Sequence, residues 1–101
     1  MKDPNDIMEE TLATFAVLIE DHFDIDAYKI DWDSNTKEFS KNDQIKFGMV
    51  MIEFHFLYKV EIDYEAETEF EKFPTLKHAW NHVVNKVFKK EGFDPQTLEP
   101  T

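Results

Sequence analysis

Two histidines near the end of the chain, His78 and His82, are four residues apart and would share one face of a helix. Two imidazoles at this spacing can bind one metal ion. No glutamate lies between them, as one does in the helical motif of zinc proteases. His22 and His55 have no evident ligand partners in the sequence either. We therefore interpret these residues as ordinary histidines and expect no metal site.

A second group of candidate ligands lies earlier in the chain, where Asp31, Asp33 and Asn35 reproduce the opening of a calcium-binding loop. The glycine that such a loop needs for its turn is replaced by Thr36, and its closing glutamate is replaced by Asn42. Because both diagnostic positions differ, we predict that these side chains stabilise turns by hydrogen bonding to the backbone.

Acidic residues occupy every second position of one later segment, and they are Glu61, Asp63, Glu65, Glu67, Glu69 and Glu71. Paired carboxylates can act as general acid and base when a cleft holds them. Repulsion among so many like charges instead favours a solvated link or a docking face. With no nucleophile beside a base either, we predict that the protein is not an enzyme.

The composition limits the partners of this chain. Its 101 residues fit one domain, and it carries 22 acidic residues against 11 lysines, with no arginine and a net charge of -11. Nucleic-acid binding needs a basic surface and benefits from the arginine guanidinium, so we exclude that class. The negative field instead favours protein partners with basic docking surfaces.

The chain has no cysteine, and its first residues are polar and acidic. Disulfides and thiolate metal sites are therefore excluded, and nothing in the sequence demands an oxidising compartment. There is also no apolar stretch long enough for a signal peptide or a membrane span. We expect a cytoplasmic protein.

Helical signals dominate the chain. Pro4 after Asp3 is typical of a helix start, and apolar residues at three- and four-residue spacing predict helix I from residue 4 to about His22. From Phe23 to Asn42 the periodicity breaks, which indicates a long loop. We expect six spaced apolar residues to anchor this loop: Phe23, Ile25, Tyr28, Ile30, Trp32 and Phe39.

A second helix is predicted from Asp43, which can cap it, to about Lys59. A last helix follows Pro74 and Thr75 and ends at Gly92, and three lysines suit its negative end: Lys86, Lys89 and Lys90. These elements predict a single all-α domain over residues 1–101, with an ordered core of about 4–91 and a tail of 92–101.

A strand is the competing interpretation of residues 50–64, because apolar residues alternate there as in a half-buried strand. Such a strand would be much longer than the usual length of about 5 to 6 residues. Residues 49–73 also contain no Gly, Asn or Pro that could turn a hairpin. We therefore favour the helix.

This order of elements resembles the acyl carrier proteins. The similarity lies in the spacing of four short segments: Phe-Asp-Ile-Asp at 23–26, Asp-Gln-Ile at 43–45, Lys-Val-Glu-Ile-Asp at 59–63 and Phe-Pro-Thr-Leu at 73–76. The resemblance covers roughly residues 7 to 90. It implies an acyl-carrier-protein-like four-helix bundle with a long loop between helices I and II.

The resemblance also implies where a cofactor would be attached, since carriers of this family hold 4'-phosphopantetheine on the serine of an Asp-Ser-Leu motif. Here Gln44 stands at that position, between Asp43 and Ile45. A carboxamide cannot form the phosphodiester, so we expect no phosphopantetheine. Ser34 and Ser40 lack the sequence context of the attachment motif.

The second helix would be the surface that partners recognise. A bundle helix buries one broad stripe, so we expect part of its apolar surface to stay exposed and to form an interface, unless a crowded core covers it all. The predicted partner-binding residues are Lys46, Phe47, Met49, Met51 and His55 on the helix and Glu61, Asp63 and Glu65 after it.

Three hypotheses remain open. The first is a non-catalytic protein that lacks the arm and docks on enzymes of fatty-acid, polyketide or related acyl metabolism, or pairs with itself. The second is a genuine carrier loaded at an unconventional residue, which would gain mass from coenzyme A and a phosphopantetheinyl transferase. The third is a structural homodimer with no link to acyl chemistry.

Overall fold

The computed structural model describes residues 3–41 and 43–93, and these residues are mainly helical. They form four α-helices: α1 (Pro4–Phe23), α2 (Thr36–Phe39), α3 (Gln44–Leu57) and α4 (Leu76–Glu91). Two short 3₁₀ turns lie at Ala27–Lys29 and Phe70–Lys72. No strand occurs in this part of the chain, which confirms the all-α class. Most of the predicted tail lies outside the described residues.

The first helix begins and ends as its sequence predicts. Asp3 caps α1 by accepting a hydrogen bond from the Asp6 N–H at 2.9 Å, and Pro4 follows at the first helical position. The helix ends at Asp24, whose backbone is left-handed with φ of 56°. One apolar face of α1 packs against both α3 and α4, so α1 is the central helix of the domain.

The second predicted helix is α3, and the alternative strand is wrong. Asp43 accepts a hydrogen bond from the Lys46 N–H at 3.0 Å and caps the helix start. Phe47, Val50 and Phe54 are buried at helical spacing. The alternation from residue 50 arises because α3 is apolar on most of its circumference, so a period of two is satisfied there by chance. Residues 58–69 continue as an irregular link.

The last helix is also confirmed. Thr75 caps α4 by accepting a hydrogen bond from the His78 N–H at 3.2 Å, and Gly92 ends it in the left-handed region with φ of 84°. Trp80 is buried on this helix, and its indole N–H donates to the Thr11 hydroxyl at 3.0 Å. This bond ties α4 to α1 inside the core.

The loop between α1 and α3 contains the short helix α2 and packs its apolar side chains on the bundle. Trp32 stacks on Phe15 with ring centroids 5.7 Å apart, and Phe15 stacks in turn on Phe54 of α3 at 4.8 Å. The exception among the predicted anchors is Tyr28, which is 99% exposed and anchors nothing. Its 3₁₀ turn points the ring away from the core.

The aspartates of this loop form the predicted turns. Asp31 accepts a hydrogen bond from the Asp33 N–H at 3.0 Å, and Asn35 caps α2 by accepting one from the Glu38 N–H at 3.0 Å. These are the local side-chain bonds typical of Asx turns. None of the described helices is both long enough and apolar enough to cross a membrane.

Candidate functional site

The side chain of Gln44, at the start of α3, is part of the packed fold. The Gln44 amide group donates to the carbonyl of Thr68, and its oxygen accepts a hydrogen bond from the Phe70 N–H at 3.0 Å. Thr68 lies near the end of the link, and Phe70 is the first residue of the 3₁₀ turn that follows it. Gln44 therefore joins the start of α3 to the link, and its side chain is half-buried.

The link crosses α3 at close range beside this residue. A Cβ atom added to Gly48 would lie 3.4 Å from the Cβ of Thr68, at the tight end of ordinary contact.

Ser34 and Ser40, the two serines near the start of α3, differ in exposure. Ser40 is 1% exposed and Ser34 is half-buried, so loading at Ser40 would require the loop to open.

A row of apolar side chains lies on the outer face of α3, and we name it the apolar stripe: Ile45, Met49, Ile52 and Phe56. The spacing of these residues places them on one side of the helix. Ile45 is 76% exposed, Met49 is 46% exposed and Phe56 is 79% exposed. Ile45 and Phe56 lie about three helical turns apart, and Met49 and Ile52 between them connect the two into one apolar row. A contiguous exposed apolar surface of this kind is typical of an interaction site.

Three of the predicted partner-binding residues are not on this surface. Phe47, Met51 and His55 are at most 2% exposed. They occupy the opposite side of α3, which faces the core and the link, so they cannot contact a partner. Lys46 is exposed as expected, and its ammonium lies 6.0 Å from the centre of the Phe23 ring.

The link continues the exposed surface. A groove runs along the apolar stripe and is lined by Ile52, Phe56, Val60, Ile62 and Tyr64, with Glu53 and Glu61 at its rim. The three predicted acidic residues, Glu61, Asp63 and Glu65, are exposed. The outer face of the protein therefore combines an apolar centre with an acidic border.

Glu67 departs from the predicted solvated row of acids. It turns inward, and its side chain is 18% exposed. One carboxylate oxygen accepts the Asp63 N–H at 2.6 Å, while the other contacts both the imidazole Nε2 of His82 and the ammonium of Lys86. Glu67 therefore fastens the link to α4.

His55 completes this group from the side of α3. Its Nδ1 lies 2.7 Å from the carbonyl oxygen of Met51 and must donate to it, because a carbonyl can only accept. Its Nε2 is then free of a proton and accepts a hydrogen bond from the Lys86 ammonium at 3.0 Å. We name His55, Glu67, His82 and Lys86 the polar cluster.

The surroundings of the polar cluster shift two pKa values. Burial lowers the pKa of His55, and the positive charge of Lys86 acts in the same direction, while the bond to Met51 opposes them. Burial alone would raise the pKa of Glu67. Hydrogen bonds from Lys86, the Asp63 N–H and His82 outweigh it and lower that pKa to about 2. The structure thus favours neutral His55 beside ionised Glu67.

Sequence reasoning missed this cluster. His82 was considered together with His78, but the His78 ring is hydrogen-bonded to the Thr75 hydroxyl at 2.7 Å. Lys86 was assigned to the helix end, whereas its ammonium reaches the link and donates to the Glu61 carbonyl at 2.8 Å. No spacing in the sequence could reveal these contacts, because they join three separate elements.

Comparison with protein-family models, with curated proteins and with solved structures found no match to this chain. The acyl-carrier resemblance therefore rests on the residues of this chain alone.

Proposed function

We propose that this protein is an acyl-carrier-like, non-catalytic binding protein that lacks the phosphopantetheine arm and docks on enzymes of acyl metabolism. The observation that supports this most is the apolar stripe of α3. In the carrier resemblance this helix is the one that partners recognise, and here Ile45 and Phe56 expose most of their surface on it.

The surface has the composition of a docking site. Interfaces commonly have an apolar centre and a polar rim, and large aromatic residues contribute most of their binding energy. Phe56 lines the groove, and Glu53 and Glu61 border it. A partner that fits this surface would carry an apolar patch surrounded by lysine or arginine, since opposite charges speed the encounter and select the partner.

The start of α3 supports the loss of the arm. The residues there are Asp43, Gln44 and Ile45, and none has a hydroxyl or thiol that could carry a phosphodiester. The Gln44 side chain is already hydrogen-bonded on both of its polar atoms. Its role in this proposal is to hold the link against the recognition helix.

A binding experiment tests the proposal with named probes. Purified ketosynthases, acyltransferases and phosphopantetheinyl transferases from the source organism are titrated with the protein by calorimetry. We expect Phe56→Asp to weaken binding by about 30-fold, which corresponds to the roughly 2 kcal/mol of an interface hot spot. The matched control is Tyr28→Asp, which changes an even more exposed aromatic residue outside the apolar stripe.

Equal effects of the two variants, or no binding to any of these enzymes, would contradict the proposal. Sedimentation at high concentration separates the remaining alternative: a stable dimer that Phe56→Asp dissociates would mean that the apolar stripe pairs with a second copy of the chain.

The absence of the arm has its own test. Incubation with coenzyme A and a phosphopantetheinyl transferase is followed by intact-protein mass spectrometry, and we expect no increase in mass. An increase would favour a genuine carrier loaded elsewhere. Loading of Gln44→Ser would support a carrier-like recognition helix, whereas refusal by this variant would show that the surface around it has diverged as well.

A further inference from the structure

We propose that His55, Glu67 and His82 form a binding site for a divalent transition-metal ion of the zinc type. These three residues come from α3, the link and α4, and each offers one ligand atom to a common point. The three ligand atoms all lie within 4.8 Å of one another. Two imidazole nitrogens and one carboxylate oxygen are a ligand set that zinc accepts in proteins.

The residues behind these ligands are arranged as in metal sites. A ligating histidine usually donates its second ring N–H to a carbonyl or carboxylate, which fixes the ring and the tautomer. His55 does this through Nδ1, which donates to the Met51 carbonyl at 2.7 Å and leaves the Nε2 lone pair directed into the cluster. The second oxygen of Glu67 is held by the Asp63 N–H at 2.6 Å.

Buried and aromatic side chains exclude water from one side of this site. His55 is 0% exposed, and the ring of Phe73 lies beside His82 with centroids 5.0 Å apart. Around one zinc ion at about 2.0 to 2.1 Å, tetrahedral ligand atoms would be about 3.3 Å from each other. Bringing the three ligand atoms to this separation needs only small movements of Glu67 and His82, which are both partly exposed.

The Lys86 ammonium occupies the position that the metal ion would take. This ammonium donates to His55 Nε2 at 3.0 Å and contacts the same oxygen of Glu67 that would bind the metal. The side chain is 25% exposed, and Lys86 lines an open groove on the surface, so the ammonium can move out to water. Metal binding would release this ammonium and would shift the His82 proton from Nε2 to Nδ1, which leaves Nε2 free to bind.

Three protein ligands leave a fourth position, which water would complete. The nitrogen ligands favour zinc and its neighbours in the first transition series over calcium or magnesium, which prefer oxygen. Bound metal would join α3, the link and α4 at one point. The metal would therefore order Glu61 and its neighbours in the link, which border the groove beside the apolar stripe, without being part of the docking surface.

The experiment uses the full chain without an affinity tag. Zinc binding is measured by competition with a chromophoric chelator, and cobalt(II) serves as a second probe through its visible absorption. We expect one ion per chain, and His82→Ala and Glu67→Gln to weaken binding by at least about tenfold. Lys86→Met removes the competing ammonium and should strengthen binding by about tenfold. Circular dichroism confirms that each variant is folded.

Two controls are matched to these variants. His78→Ala removes another histidine of α4, and Glu65→Gln removes another acid of the link, and both should leave zinc affinity unchanged. The proposal is overturned if wild-type protein does not bind zinc, including the case in which only Lys86→Met binds it. It is also overturned if binding is unaffected by His82→Ala and Glu67→Gln, because zinc would then lie elsewhere on this acidic chain.

Discussion

Replacing Lys86 by methionine removes one ammonium group and keeps a side chain of similar length. The ammonium donates to His55 Nε2 at 3.0 Å and to the Glu61 carbonyl at 2.8 Å, and it forms an ion pair with Glu67. These contacts join α4 to α3 and to the link. We expect Lys86→Met to lower the free energy of unfolding at neutral pH.

The size of the loss follows from the burial of each acceptor. His55 is 0% exposed, so leaving its Nε2 without a donor should cost about 1 to 3 kcal/mol. The pair with Glu67 is partly open to water and should contribute about 1 kcal/mol, while the exposed Glu61 carbonyl can bond to water instead. The expected total is about 2 to 4 kcal/mol, which is a large share of the stability of a small domain.

Urea unfolding followed by tryptophan fluorescence measures this loss. With a slope of about 1.5 kcal/mol per molar urea, the midpoint should fall by about 1.3 to 2.7 M. Lys89→Met is the matched control, since Lys89 is exposed on the same helix, and it should change the free energy by less than about 0.5 kcal/mol. A double variant with Glu67→Gln should be non-additive by about 1 kcal/mol.

Equal midpoints for Lys86→Met and Lys89→Met would refute this reasoning. That result would mean that the Lys86 ammonium is solvated like the lysines at the helix end, and that His55 does not depend on it.

Two further predictions concern pH and the start of α3. The pKa of His55 is lowered from 6.5, and that of Glu67 is lowered from 4.5 to about 2. Each group is therefore protonated at a higher pH in the unfolded chain than in the folded protein. The His55 contribution to stability is therefore lost as pH falls below about 6.5, and the Glu67 contribution is lost as pH falls from about 4.5 to 2. Urea midpoints across this range should fall less steeply below pH 4.5 for Glu67→Gln than for wild type, whereas Glu69→Gln should follow wild type. Gln44→Ala should lower the free energy of unfolding by about 1 to 2 kcal/mol, because the partly buried Phe70 N–H loses its acceptor. Thermal unfolding measures this change, and an unchanged midpoint would show that Gln44 does not hold the link.

The three long helices, α1, α3 and α4, could be predicted from the sequence because their signals are local, whereas the short helix α2 lies in the segment predicted as a loop. Asp3, Asp43 and Thr75 each cap a helix through a residue three positions later. Gly92 ends the last helix because it tolerates a left-handed backbone. Each of these signals acts within one turn of the chain.

The exposed and buried faces of α3 could not be predicted in the same way. The helix is apolar on most sides, so its sequence has no polar face from which the solvent-facing side could be identified. The packed core buries Phe47 and Met51, while Ile45 and Phe56 remain outside. Only the positions of the neighbouring helices determine which apolar residues a partner can reach.

The sequence by itself determined an acidic, cysteine-free, all-α chain in which Gln44 follows the capping residue Asp43 at the start of a helix. Composition and helix caps depend on single residues and on close neighbours, so they are readable without a fold. The tertiary structure decided that Gln44 binds the link, that the apolar stripe is exposed and that Glu67 meets His55, His82 and Lys86. The hydrogen bonds among these groups join residues 15 to 31 positions apart, and the packing of α3, the link and α4 is what brings them together.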